Sequence, residues 1–344
     1  MSKKKILVTG GCGYIGSHTV VGLIESGFDV VVVDDLSNSN KFIIDNIKEI
    51  TGIKPEFIQA DLKNADSVEN IFRYNRDVFA TIHFAAHKAV GESVKKPLKY
   101  YKNNLFSLLN VLSAQKKNEI NNFIFSSSAT VYGAPKTLPI TENNETQRPF
   151  SSYGNTKKIA EEILEDYIKS NPDFLTISLR YFNPIGAHKS GLIGELPQGI
   201  PNNLLPYITQ TAVGQREKLL VYGDDYPTPD GTPIRDYIHV VDLAEAHVKA
   251  VNRLLKNESK QRFEIFNLGT GKGYSVMEII KAFEKVSQKK LNYQIAGRRD
   301  GDVPVLYAST ELAEQKLKWK AKLGLEEMIS SSWEWEQNFR KEKN

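Results

Sequence analysis

The segment Val8-Thr9-Gly10-Gly11-Cys12-Gly13-Tyr14-Ile15-Gly16 constrains this chain more than any other. It follows the apolar run Ile6-Leu7-Val8 and opens a stretch of helical spacing, whose back half reads as Thr19 to Gly27. Gly10 permits a turn that a side chain would block, Gly13 lets the backbone approach a pyrophosphate, and Gly16 lets the helix lie against a sheet. Phosphates at such a turn meet the free N–H groups and positive dipole end of the helix. A second buried strand, Val30 to Val33, ends in Asp34-Asp35, where a carboxylate can accept both hydroxyls of an adenosine ribose. No basic residue adjoins Asp34, so a 2′-phosphate would meet only negative charge, and the reading is NAD rather than NADP. Asp61-Leu62 follows the next strand, where the acid can reach adenine. Cys12 reads as a small residue filling the turn, since no base lies near it in sequence.

Further strands are predicted at Pro55 to Gln59, Ala80 to Phe84, Phe123 to Ser127 and Phe263 to Leu268. Helices are predicted near Ala65 to Asn75, Leu98 to Lys117, Thr156 to Ser170, Val241 to Leu255 and Ser275 to Gln288. Alternating elements of this kind imply a doubly wound parallel sheet of α/β class, Rossmann-like. At 344 residues the chain exceeds one ordinary domain. The expected division is a cofactor-binding domain over 1–182 and a smaller mixed substrate domain over 183–344, with some later segments returning to the first. Asn183 to Pro206 and Tyr222 to Pro233 are rich in Pro and Gly, which makes them irregular and candidate binding loops. The tail after Trp335 is charged and expected to fray, and Trp319, Trp333 and Trp335 read as packing residues of the C-terminal part.

Tyr153-Gly154-Asn155-Thr156-Lys157 sets a phenol and an ammonium one helical turn apart, on the face that continues through Ala160, Leu164 and Ile168. A free tyrosine titrates near pH ~10. An adjacent ammonium and an oxidised nicotinamide both favour the phenolate, so a lowered phenol and a general base for an alcohol losing hydride are expected. The strand Phe123-Ile124-Phe125-Ser126-Ser127-Ser128 ends in hydroxyls at the carboxyl edge of the sheet, where ligands bind. Ser128, Tyr153 and Lys157 are the expected catalytic set.

Together these residues resemble the extended short-chain dehydrogenase family, most nearly its UDP-glucose 4-epimerase branch. The resemblance runs over nearly the whole chain, through His83-Phe84-Ala85, Lys88-Ala89-Val90-Gly91-Glu92-Ser93, Ser126 to Gly133, Arg180 to Pro184, Gly199 to Leu204 and Arg235 to Val240. It implies a retained NAD, a UDP-hexose substrate, and a hydride that leaves C4 and returns to the opposite face while Tyr153 handles the proton. By matching motif, Tyr14, Ile15, Asn38, Ser39, Phe84, Ala85, Ala86, Lys88, Asn103 and Phe182 are expected beside NAD, with Ser128, Tyr153 and Lys157. On the nucleotide sugar, with Lys88, Ser128 and Tyr153, the resemblance implies Asn183, Asn203, Leu220, Tyr222, Arg235 and Arg299, with Asp302 close by. Guanidinium forks suit a diphosphate. It also implies a homodimer built through paired helices, Leu98 to Lys117 and Thr156 to Ser170.

The chain departs from the family's dehydratases, which place Asp-Glu after the strand-end hydroxyl; here Ala129-Thr130 stand there. Leu306 stands where the family carries either a bulky tyrosine or a small residue, which leaves UDP-N-acetylglucosamine as an alternative substrate. A non-catalytic NAD-binding regulator is the rival of another class, and the intact Ser128, Tyr153 and Lys157 argue against it. Ala86-His87 replace a common Gly-Leu. His83 and His87 straddle a strand end rather than share a helical face, so no metal is expected. With a net charge of +4 spread over the chain, no concentrated basic face is expected to bind nucleic acid. No run reaches membrane-span length, and one cysteine fits a reducing, cytoplasmic compartment.

Overall fold

The computed structural model describes residues 3–299 and 301–341. Strands β1 (Lys5–Thr9), β2 (Asp29–Asp34), β3 (Glu56–Gln59), β4 (Val78–His83), β5 (Asn122–Ser128) and β6 (Leu175–Tyr181) alternate with helices. These are α1 (Tyr14–Glu25), α2 (Phe42–Thr51), α3 (Ala65–Tyr74), α4 (Val90–Lys95), α5 (Pro97–Lys117) and α6 (Ser152–Ser170). The chain then forms β7 (Asn183–Ile185), α7 (Leu204–Ala212), β8 (Leu219–Tyr222) and β9 (Ile234–His239). It returns to the first sheet as α8 (Val240–Leu255) and β10 (Phe263–Leu268), which pairs with β6. The parallel order is β10-β6-β5-β4-β1-β2-β3, so the winding reverses between β1 and β4, and a ligand crevice opens at their carboxyl ends.

Strand residues alternate faces with period 2. Ile6, Val8, Val30 and Val32 join the cluster under α1, α2 and α8, while Leu7, Val31 and Val33 join the opposite cluster with residues of α3, α5 and α6. Both faces are covered, which is why Val30 to Val33 read as an unbroken apolar run. The remaining elements are β11 (Gly273–Ser275), α9 (Val276–Ser287), β12 (Tyr293–Ala296), β13 (Val305–Leu306) and α10 (Leu325–Lys341). They complete a sheet of order β11-β9-β13 with β7 on β9, a β12-β8 pair, and a separate core that includes Ile208, Ile279, Phe283 and Trp333.

Three expectations need correction. Helix α6 starts at Ser152 rather than Thr156, because Ser151 Oγ accepts the Gly154 N–H at 3.1 Å and caps it. Trp319 belongs to the main sheet's core, not the C-terminal part, and its indole donates to the Asp242 carbonyl at 2.8 Å. From Trp335 to Lys341 the chain does not fray: α10 continues to Lys341 with Phe339 buried, because Ser332, Trp335, Glu336 and Phe339 share its inner face, and the rest of the tail lies outside the described residues.

Candidate active site

The glycine turn is built from backbone contacts that exclude side chains. Gly10 has φ +69°, and a Cβ there would lie 2.8 Å from the Ala85 nitrogen; at Gly16 it would lie 2.2 Å from the Gly10 carbonyl oxygen. Helix α1 has Gly13 as its N-cap with no side-chain cap and no acid in its first turn, so its end offers backbone donors and a positive dipole to an anion. Asp34 terminates β2 beside this turn. One of its oxygens accepts from Leu36 N–H and the Ser39 hydroxyl, the other from Cys12 N–H at 3.0 Å. Burial raises its carboxyl above the ordinary value, and those hydrogen bonds oppose the rise. An open helix end with a fixed carboxylate across the turn is a cradle of the right chemistry for the diphosphate and adenosine ribose of NAD. Asn38 is exposed on the loop after β2. Burial pushes Asp61 up, but Lys63 outweighs it through a backbone hydrogen bond and an ion pair at 2.9 Å, and holds the carboxyl low. Leu62 is core, leaving only its backbone for a ligand.

Two residues of the turn do not point at a cofactor through their side chains. Ile15 packs on the core, and the Tyr14 hydroxyl donates to the Gly186 carbonyl at 2.6 Å, stitching the turn to the second half of the chain. Cys12 is buried, and burial and then Asp34 raise its thiol far above the reactive range, as expected of a filler.

Ser128 closes β5 in register with Tyr181, and Tyr153 sits in the first turn of α6. The Ser128 hydroxyl oxygen accepts from Thr130 N–H at 3.2 Å and from the Thr130 hydroxyl at 3.0 Å. Its own proton is therefore left for the Tyr153 phenol, with which the Ser128 side chain hydrogen-bonds. Burial raises the Tyr153 phenol, while the Ser128 hydroxyl acts in the opposite direction. The expected lowering of the phenol by Lys157 is thus absent from the protein itself. The reason is geometric: the Lys157 ammonium donates to the Ser126 carbonyl at 2.6 Å and lies 6.0 Å from the centre of the Tyr153 ring.

Lys157 is buried, and burial, only partly opposed by Glu161, lowers it to about 7. The unfolded chain holds that proton up to pH ~10.4, so between about 7 and ~10.4 the unfolded state binds more protons and stability rises with pH. Lysine-selective 13C NMR on the cofactor-free protein should show one resonance titrating near 7 and missing in Lys157→Met. A Lys157 resonance titrating with the surface lysines would contradict this geometry.

After β4 the chain runs Phe84-Ala85-Ala86-His87-Lys88 beside the turn. Phe84 N–H donates to the Thr9 carbonyl, and its ring lies 4.7 Å from that of His247. His83 is committed to the Thr9 hydroxyl at 2.9 Å. Asn104, which carries no signal in the sequence, is buried and braces this loop. It accepts from His87 N–H at 2.8 Å and from the side chain of Asn103, and it donates to the His87 carbonyl and the Thr156 hydroxyl. Glu195 was also missed. One of its carboxylate oxygens accepts from Lys88 at 2.8 Å and Asn203 at 2.7 Å. A single acid in a Gly/Pro-rich stretch carries no periodic signal that could have revealed it.

On the far side, Arg235 lies on β9 and pairs with Asp302, and Arg299 stacks its guanidinium 4.3 Å from the centre of the Tyr222 ring. Leu220 lies on β8, partly buried, and Asn183 is exposed at the start of β7. Leu306 on β13 is in register with Arg235 and packs against the cluster of Ala129, Val131, Tyr132, Ile140, Phe182 and Ala308. Phe182 and Leu306 therefore share a wall with Ala129, next to Ser128. Among the described residues no group of His, Cys, Asp and Glu could hold a metal, and no helix is long and apolar enough to cross a membrane.

A family model described as GDP-mannose 4,6 dehydratase matches residues 7–332. The UDP-glucose 4-epimerase of Bacillus subtilis is 52% identical over 331 residues, covering 96% of each chain. Among solved structures, UDP-glucose 4-epimerase from Bifidobacterium longum in complex with NAD+ and UDP superposes with a TM-score of 0.93 at 46% identity, covering 97% of this chain and 98% of that one. The enzyme from Stenotrophomonas maltophila with bound NAD and formylated UDP-arabinopyranose gives 0.95 at 44% identity, covering 98% and 99%. On this evidence, the chain belongs to the UDP-glucose 4-epimerases of the extended short-chain dehydrogenase family.

Proposed function

We propose that this protein interconverts UDP-galactose and UDP-glucose through a 4-keto sugar, using an NAD that it retains. The reading is carried by one observation: a phenol on the first turn of α6 shares the carboxyl edge of the sheet with the serine that hydrogen-bonds it and with the glycine cradle. Bound in that cradle, NAD supplies a hydride acceptor that gives the hydride back. Gly13 would leave room for its diphosphate while Gly10 and Gly16 hold the turn and helix close, and Asp34 would take the ribose hydroxyls. Tyr153 removes the proton of the sugar 4-hydroxyl and later restores it. Ser128 donates to the reacting oxygen, and Lys157 adds positive charge behind the phenol when protonated. Arg235 and Arg299 grip the UDP diphosphate, while Asn183, Asn203, Leu220 and Tyr222 hold the rest of the nucleotide. This assigns cofactor binding to residues 1–182 and most of the substrate grip to 183–344.

Epimerisation demands that the hexose turn over while the nucleotide stays fixed, so most binding contacts must lie on UDP. Leu306 sits on the wall opposite the sugar and is smaller than a tyrosine, which favours acceptance of an N-acetylated UDP-hexose as a second activity. We assign a homodimer through α5 and α6, with Leu98, Phe106 and Leu109 of α5 exposed apolar residues, and a cytoplasmic location.

The test is to incubate the purified protein, without added cofactor, with UDP-galactose and separately with UDP-N-acetylgalactosamine, and to follow the C4 epimers by NMR. UDP-glucose is expected from the first, and the N-acetylglucosamine epimer from the second. No product from either, even with NAD supplied, would overturn the reading.

A further inference from the structure

Glu195 lies in the Pro/Gly-rich stretch, yet its backbone is rigidly set. Ile193 is core, and a Cβ on Gly194 would lie 2.4 Å from the Trp335 ring. The Trp335 indole donates to the Glu195 carbonyl at 3.2 Å, and Leu196 packs against Trp335 and Phe339. The segment is clamped to α10, so its carboxylate is presented from a fixed base. The side chain is 10% exposed. Its carboxylate also raises the already buried Tyr14 phenol, after burial itself, so it stands close to the glycine turn. The Lys88 ammonium completes this group, 5.5 Å from the centre of the Tyr14 ring.

Two donors converge on one oxygen of this carboxylate, and they come from different halves of the site. Lys88 belongs to the loop after β4 on the cofactor side; Asn203 stands at the start of α7, on the nucleotide-sugar side, with its side chain turned to Glu195 rather than capping the helix. Charge-assisted hydrogen bonds of this kind orient their donors firmly. We propose that Glu195 is a positioning residue that locks the cofactor-side loop to the nucleotide-binding loop, so that UDP meets Lys88 and Asn203 already set in place. This rests on the function proposed above. Glu195 itself is given no contact with a reacting atom, and its removal should therefore fall on binding rather than on the chemical step.

The experiment uses the NAD-loaded protein as purified and titrates UDP by calorimetry, alongside steady-state kinetics. Glu195→Gln is expected to raise the UDP Kd and the KM about tenfold, the size of one lost charge-assisted hydrogen bond, with kcat within about threefold of the parent. Lys88→Met should weaken UDP as well, and the double variant should lose clearly less than the sum of the two single losses, because both changes break the same Lys88–Glu195 link. Glu195→Asp keeps the charge but shortens the reach, and is expected to weaken UDP even if the glutamine variant folds poorly. Additive losses in the double variant, unchanged or tighter UDP binding in Glu195→Gln, or a loss confined to kcat would each overturn the proposal. UDP binding is read without turnover. A parent that binds UDP but forms no epimer therefore refutes the activity alone, whereas an active parent whose glutamine and aspartate variants bind UDP normally refutes the role of Glu195 alone.

Discussion

Tyr153→Phe is expected to cut the rate of epimerisation by about a thousandfold, within the range of positioned acid–base groups, while leaving the fold and bound NAD intact. The substitution removes one oxygen. The ring keeps its place on the first turn of α6, and Ser151 still caps that helix. Ser128 keeps its two hydrogen bonds from Thr130, so its oxygen stays in place. What disappears is the phenol proposed to hold the proton of the sugar 4-hydroxyl. Its neighbours do not replace it: Lys157 is occupied by the Ser126 carbonyl, and the buried Tyr181 hydroxyl pairs with His247 at 3.3 Å. Because burial raises the Tyr153 phenol in the protein alone, the residue rests protonated there at neutral pH, and a nearby positive charge is needed to favour the phenolate. NMR turnover, a melting curve and the NAD content of the purified variant check this together. A rate within tenfold of the parent, with the fold intact, would remove the proton-transfer role from Tyr153.

Much of this was legible in the sequence, for reasons tied to particular residues. Strand Val30 to Val33 announced itself because a strand covered on both faces shows no alternation, and the structure buries all four. The glycine turn was readable because its spacing is a steric requirement: side chains at Gly10 and Gly16 would run into backbone atoms. Tyr153 and Lys157 were legible as a pair because helical spacing puts them on one face, but their electrostatic relation was not. That relation depends on a carbonyl supplied by Ser126, from β5, some thirty residues upstream.

The second half of the chain was less readable. Strands β7, β8 and β13 are short, and β7 and β13 owe their place to pairing with β9 rather than to their own pattern; such strands are set by context. Helix α10 was missed because its charged residues hide an apolar stripe, visible only once the surface it covers is known. Asn104 and Glu195 lie beyond sequence reasoning for a different reason. Each works by joining loops far apart in the chain, and polar residues that do so leave no local period.

Gly16→Ala is expected to cost about 2–4 kcal/mol of stability, as overpacking against rigid atoms does, and to strip most of the NAD from the purified protein. An alanine in an ordinary helix interior would instead gain about 1 kcal/mol over glycine. Here that gain is outweighed, because the new Cβ would lie 2.2 Å from the Gly10 carbonyl oxygen and 2.9 Å from the Gly11 Cα. Both are backbone atoms, so no rotamer change relieves the contact. Relief requires either α1 to lift from the turn or the turn to shift away from Ala85, and either movement withdraws the helix end from the place where a diphosphate would rest. Gly22→Ala, on the same helix, is the control: its Cβ would meet nothing nearer than Val248 Cγ2 at 3.4 Å, and it should keep its NAD and melt at or slightly above the parent temperature. Melting curves, with NAD released by denaturation and counted per protomer, separate the two. If Gly16→Ala behaved like Gly22→Ala, the turn would not be the tight cradle described, and NAD would have to owe its retention to Asp34 and the loop after β4 rather than to the helix end.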